Sequence, residues 1–192
     1  MRKMSFSTTE LPDLMLVTPF FAEDSRGYVS KVFEQEIFAQ HGIHLAPFEE
    51  LNSFSHKGVL RGLHFQREYS QDKLVRVLHG AIYDVAVDLR EGSATFGQWE
   101  GFYLSAENRQ MLYIPKGFAH GFLALEEGTL FSYLCGDRYD PNSDGGILWN
   151  DPELNVQWPL DKVERVIVSE KDQELPTFSQ FCMEHGALMK QG

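Results

Sequence analysis

Between Leu74 and Leu89 the chain reads LVRVLHGAIYDVAVDL, a run dense in β-branched residues with Gly80 at its middle. Side chains branched at Cβ suit a pleated sheet, and a glycine weakens a strand interior, so the run predicts two strands or one sharply bent strand. Comparable segments surround it. Gly27 to Phe33 alternates apolar and polar residues, the period-two pattern of a half-buried strand. Leu14–Val17, Trp99–Leu104, Gln110–Ile114, Gly121–Leu125 and Thr129–Cys135 are further short strand-like runs. Many short strands separated by Gly, Pro and Asn turns predict a sandwich or barrel. Helix-like material is confined to Gln35–His41, stopped by Gly42, and to Glu170–Gly186, interrupted by Pro176. The polar, Gly/Pro/Asn-rich stretch from Asp137 to Asp151 is expected to be a long loop.

The chain has 192 residues, which fits one domain spanning 1–192, and its 43% hydrophobic and 13% aromatic content is that of a packed globule. A net charge of −11 disfavours nonspecific binding to nucleic acid or to an acidic membrane surface. An anionic ligand would therefore need a locally gathered positive patch. Cys135 and Cys182 have neither metal-site nor disulfide-framework spacing and read as two reduced thiols. No apolar run follows Met1–Ser5 and no stretch approaches the ~20 apolar residues of a membrane span, so a cytoplasmic protein is expected.

Two segments carry chemistry. Arg61-Gly62-Leu63-His64-Phe65-Gln66 sets a histidine, which exchanges protons near neutral pH, close to an arginine. Pro115-x-Gly117-x-x-His120 matches the second motif of the cupin β-barrels, a strand turn that points its histidine into the barrel. The first cupin motif has a His-x-His pair, and here Gln66 stands in place of the second histidine. His64 and His120 alone fall short of the three protein ligands a catalytic metal usually requires.

Taken in order, Asp24–Gly27, Gly58–Gln66, Lys73–Arg76, Asp84–Arg90, Thr95–Trp99, Leu104–Asn108, Ile114–Phe122, Ile147–Pro152 and Ser169–Asp172 make the chain similar to the dTDP-4-dehydrorhamnose 3,5-epimerases from about Leu11 to about Phe178. The resemblance implies an all-β, cupin-type jelly-roll β-barrel with short terminal helices. It also implies a homodimer that exchanges N-terminal strands, with a dTDP-4-keto-6-deoxy sugar as substrate and no metal or redox cofactor. It makes His64 the base, Asp172 its carboxylate partner, Tyr133 the acid on the opposite face and Lys73 the cation near the enolate oxygen. His120 becomes a second pocket histidine. Arg26, Arg61 and Lys171 become contacts to the diphosphate or its surroundings, where an arginine fork binds oxygens bidentately. Glu50 and Asn52 would face the nucleotide, Asp144 would be the acidic residue of the long loop, Tyr28 would stack on thymine and Tyr139 would line the sugar pocket. Lys31, Glu50 and Arg138 depart from the family's usual Glu, Gln and Tyr. Three alternatives stay open: an enzyme inverting C3 or C5 only, or acting on another nucleotide-linked keto sugar; a metal-dependent cupin; and a sugar-binding cupin without catalysis.

Overall fold

The computed structural model describes residues 3–188. Its strands are β1 (Ser5–Thr8), β2 (Met15–Thr18), β3 (Phe20–Asp24), β4 (Gly27–Lys31), β5 (Glu49–Ser55), β6 (Leu60–Gln66), β7 (Lys73–His79), β8 (Ala81–Asp88), β9 (Trp99–Ser105), β10 (Met111–Ile114), β11 (Phe118–Ala124), β12 (Thr129–Cys135) and β13 (Asp144–Gly146). Among the described residues three short α-helices, α1 (Gln35–Gln40), α2 (Glu170–Gln173) and α3 (Phe178–His185), and one 3-10 turn (Leu160–Lys162) complete it. A six-stranded sheet runs β1-β2-β10-β7-β12-β5, and a five-stranded sheet runs β13-β6-β11-β8-β9. All their named pairings are antiparallel, and the chain crosses repeatedly between the two sheets, which is jelly-roll topology.

Strand alternation explains how the sheets pack. Val75, Val77, Leu112, Ile114 and Phe131 from the six-stranded sheet meet Ile82, Ala86, Phe118, Phe122 and Ala124 from the other, forming the barrel core. Leu63, Phe65, Val85, Val87, Ala119 and Leu123 point to the opposite side of the five-stranded sheet. There the C-terminal segment covers them with Trp158, Phe178 and Phe181. Helix α3 is well placed for this because Thr177 and Gln180 form a reciprocal capping box at its start. Helix α1 buries Phe38 against Leu74, Met111 and Tyr113 on the outer face of the six-stranded sheet.

Gly80 divides the Leu74–Leu89 run into β7 and β8, which lie in different sheets. Two features differ from the sequence expectation. The segment from Asp137 to Asp151 is not loop throughout, since β13 pairs with β6 inside it. Strand β4 forms where expected but is not half-buried: none of its residues is buried, and the adjacent Tyr28 and Val29 are 62% and 69% exposed. It pairs only with β3, in a two-stranded ribbon whose Phe21 is covered by the Arg109 guanidinium while Val29 faces outward.

The turn after β8 is locked by Asp88. Its carboxylate accepts from the Arg90 backbone and guanidinium and from the Ser93 and Thr95 hydroxyls. Among the described residues no helix is long and apolar enough to cross a membrane.

Candidate active site

On the inward faces of β6, β8 and β11 three polar residues, His64, Asp84 and His120, interrupt the apolar alternation. His64 and His120 are directly opposite each other on the paired strands β6 and β11. Gly117 makes the turn into β11 at φ +85°, a conformation that suits glycine, so the Pro115–His120 motif aims His120 into the barrel. Gly62 lets β6 approach β11 closely: a Cβ there would sit 2.5 Å from the Gly121 Cα.

Each histidine is turned to its own carboxylate. His64 Nε2 lies 3.1 Å from Asp172 Oδ1, and His120 Nε2 lies 2.8 Å from Asp84 Oδ1. Asp172 reaches the barrel from α2, whose N-cap Ser169 accepts from the Asp172 backbone N–H. The Gly62 N–H donates to its second oxygen at 3.2 Å. Burial by itself would raise the Asp172 carboxyl, but the His64 bond and charge, with the Gly62 N–H, outweigh it and hold the group below the usual carboxylate range. Asp84 is fully buried, and its Oδ2 has no hydrogen-bond partner among the described residues. Among the same residues no group of three or more His, Cys, Asp or Glu side chains is placed to hold a metal ion.

A cavity of about 550 Å³ opens between the two sheets beside His64. Of the residues singled out from sequence, Arg61, His64, Lys73, Tyr133, Tyr139, Asp144, Lys171 and Asp172 line it. His64 belongs to the five-stranded sheet, whereas Tyr133 and Lys73 belong to the six-stranded sheet, so the two proton-transfer candidates face each other from opposite walls. Burial pushes the Tyr133 phenol well above its ordinary range, and its hydroxyl lies 3.4 Å from the Ser53 Oγ. Burial also pulls the Lys73 ammonium down, opposed by the negative pull of Cys135, Asp144 and Asp84. The Arg61 guanidinium donates to the Ser55 Oγ and the Phe54 carbonyl, both neutral, so its charge remains available to an anion. Lys171 is paired with Asp144, which also accepts from the Tyr139 hydroxyl at 3.3 Å.

His120 stands behind this wall, buried, with its ring centroid 6.0 Å from that of Tyr133. The remaining candidates do not line the cavity. Glu50 and Asn52 lie on β5 opposite Leu134 and Ser132, with the outward-facing alternation, and the Glu50 carboxylate accepts from Ser132 Oγ at 2.9 Å. Arg26 is at the tip of the β3–β4 ribbon, bidentate to Asp24 and 88% exposed. Tyr28 packs on Phe21, with the Arg109 guanidinium above both rings. Sequence reasoning passed over Asp84, Gln71 and the wall residues Ile167 and Val168, and gave Gln66 and Cys135 no role in the site. For Asp84 a signal existed: the alternation Ile82-Asp84-Ala86 sets a carboxylate at an inward position, where it needs a partner.

A family model described as dTDP-4-dehydrorhamnose 3,5-epimerase matches residues 8–180. The chain belongs to that family. It is 47% identical over 172 residues to the dTDP-4-dehydrorhamnose 3,5-epimerase of Methanothermobacter thermautotrophicus, covering 90% of this chain and 93% of the relative. It is 46% identical over 180 residues to the Escherichia coli enzyme of the same name, covering 92% and 96% of the two chains. The crystal structure of the Legionella pneumophila 3,5-epimerase RmlC, in complex with dTDP-4-keto-L-rhamnose, superposes with a TM-score of 0.93 at 40% identity, covering 99% of this chain and 100% of that one. The jelly-roll barrel is thus the fold of the family.

Proposed function

We propose that the chain epimerises dTDP-4-keto-6-deoxy-D-glucose at C3 and C5 to dTDP-4-keto-L-rhamnose, using the cavity between the two sheets. The ketone at C4 acidifies the hydrogens on both neighbouring carbons. His64 removes one of them; with one ring nitrogen held by Asp172, the other is free to take the proton, and the carboxylate stabilises the imidazolium. The electron pair left on carbon is delocalised onto O4, where Lys73 supplies positive or hydrogen-bonding character to the enolate. Tyr133, kept protonated by its burial, returns a proton to the same carbon from the opposite side, and the centre is inverted. Arg61 holds the diphosphate.

The observation that carries this proposal is the placement of His64 with Asp172 on one wall and Tyr133 on the other, across a single cavity. Arg26 and Tyr28 on the exposed ribbon, and Glu50 and Asn52 on β5, enter the proposal through a homodimer, in which the ribbon of one subunit meets the cavity side of its partner. A cytoplasmic location belongs to the same proposal. Purified chain given dTDP-4-keto-6-deoxy-D-glucose together with an NADPH-dependent 4-ketoreductase specific for the L-configured product should consume NADPH, and NMR should find both C3 and C5 inverted. Inversion at one centre alone would narrow the activity to a monoepimerase, and no turnover would overturn the proposal.

A further inference from the structure

Gln66 faces the cavity at the position where a His-x-His pair would place its second histidine, and it is nearly fully buried. Its amide is engaged on both atoms. The Nε2 hydrogens donate to the Tyr69 carbonyl at 2.8 Å and to the Arg138 carbonyl at 2.9 Å, while Oε1 accepts from the Asp140 N–H at 2.7 Å. In the backbone, Gln66 is also the register partner of Asp144 in β13. One side chain therefore ties three points of two loops to β6. The second of those loops carries Tyr139 and leads directly into Asp144. The loops also meet outside the barrel, where the Arg138 guanidinium lies 3.9 Å from the centroid of the Tyr69 ring.

We propose that Gln66 is a positioning residue for the sugar-nucleotide end of the cavity, a role that rests on the epimerase reading of the site. It holds segment 138–144 so that the Tyr139 hydroxyl reaches Asp144 and both stay on the cavity wall beside Lys171. The chemistry requires an amide. Two donors and one acceptor must come from one neutral side chain, whereas a carboxylate would set oxygens against two carbonyls and a histidine has one donor and one acceptor when neutral. Losing such bonds in a buried site loosens the segment they hold without touching the proton-transfer groups.

The test uses Gln66→Leu and Gln66→Glu in the full chain, with two readouts. Without any ligand, amide hydrogen exchange should speed up about tenfold across segment 138–144 in both variants at pH 7, while β7 and β8 keep wild-type protection. With dTDP-4-keto-6-deoxy-D-glucose, KM should rise about tenfold and kcat should fall less than about threefold. In Gln66→Glu both effects should shrink as pH falls and the carboxyl gains a donor hydrogen; Gln66→Leu should show no such recovery. An unchanged KM in both variants, or faster exchange spread evenly over the barrel strands, would overturn the proposal. The exchange readout needs no substrate, so an inactive wild-type chain would sink the epimerase reading while leaving the loop-holding role separately measured.

Discussion

At the scale of single residues, the site's behaviour is decided by what burial does to each ionisable group and what partner answers it. Lys73 and Tyr133 are shifted toward their neutral forms by burial, while Asp172 is held in its charged form against burial by His64 and the Gly62 N–H. Asp172 therefore carries a pH signature. A carboxyl with a native pKa below its ordinary value contributes stability in full above about pH 4, and that contribution is lost as pH falls through the lower native value. Chemical denaturation at pH 7 and at pH 3 should show the wild-type chain losing more stability on acidification than Asp172→Asn, which lacks this titration. At pH 7 the same variant should lose about two to four orders of magnitude in kcat, because His64 is left without a charged partner. Equal acid sensitivity in the two proteins would mean that the depressed carboxyl lies elsewhere. His64 and Asp172 were legible as a pair only through the family resemblance, since they are far apart in sequence and meet by way of α2. Asp84 was missed because strand patterning reports which face a residue occupies, not which polar partner waits there.

Among the elements, the strands that alternate cleanly were the easiest to read. Thr129–Cys135 is found with those bounds, and the break at Gly80 separates two strands as expected. Strand β13 was hidden because Asp144-Gly145-Gly146 has no strand propensity; it pairs with β6 because Gln66 and the register of β6 hold it there. The ribbon β3–β4 has the opposite character. Arg109 covers its Phe21, but Val29 finds no cover among the described residues. Tyr28 and Leu78 line a shallow groove with Arg76 and Arg109, and Phe48 and Phe54 are 66% and 58% exposed. In the proposed homodimer this apolar area is the contact surface, and a second copy of the chain is the occupant that would bring Arg26 and Tyr28 into use. Sedimentation equilibrium should give a particle of twice 22.0 kDa. Val29→Asp should shift it toward monomer and lower turnover. A fully active monomer would exclude subunit completion of the site.

For the molecule as a whole, composition and strand spacing pointed to a barrel or sandwich, and the resemblance narrowed this to a jelly roll. The central consequence of that architecture is that two sheets face each other across one cavity. His64 projects from the five-stranded sheet and Tyr133 from the six-stranded sheet, so a flat enolate held between them can lose a proton to one side and regain it from the other. Neither residue carries this information locally; it arises because the chain crosses between sheets from β6 to β7 and again from β11 to β12. Deuterium incorporation at sugar C3 and C5 in D₂O, followed by NMR together with product configuration, separates the two roles. Tyr133→Phe should still exchange the hydrogens through His64 while inverting neither centre efficiently, and His64→Asn should lose exchange and inversion together. Exchange that survives in His64→Asn and disappears in Tyr133→Phe would contradict the assignment of base and acid to the two walls.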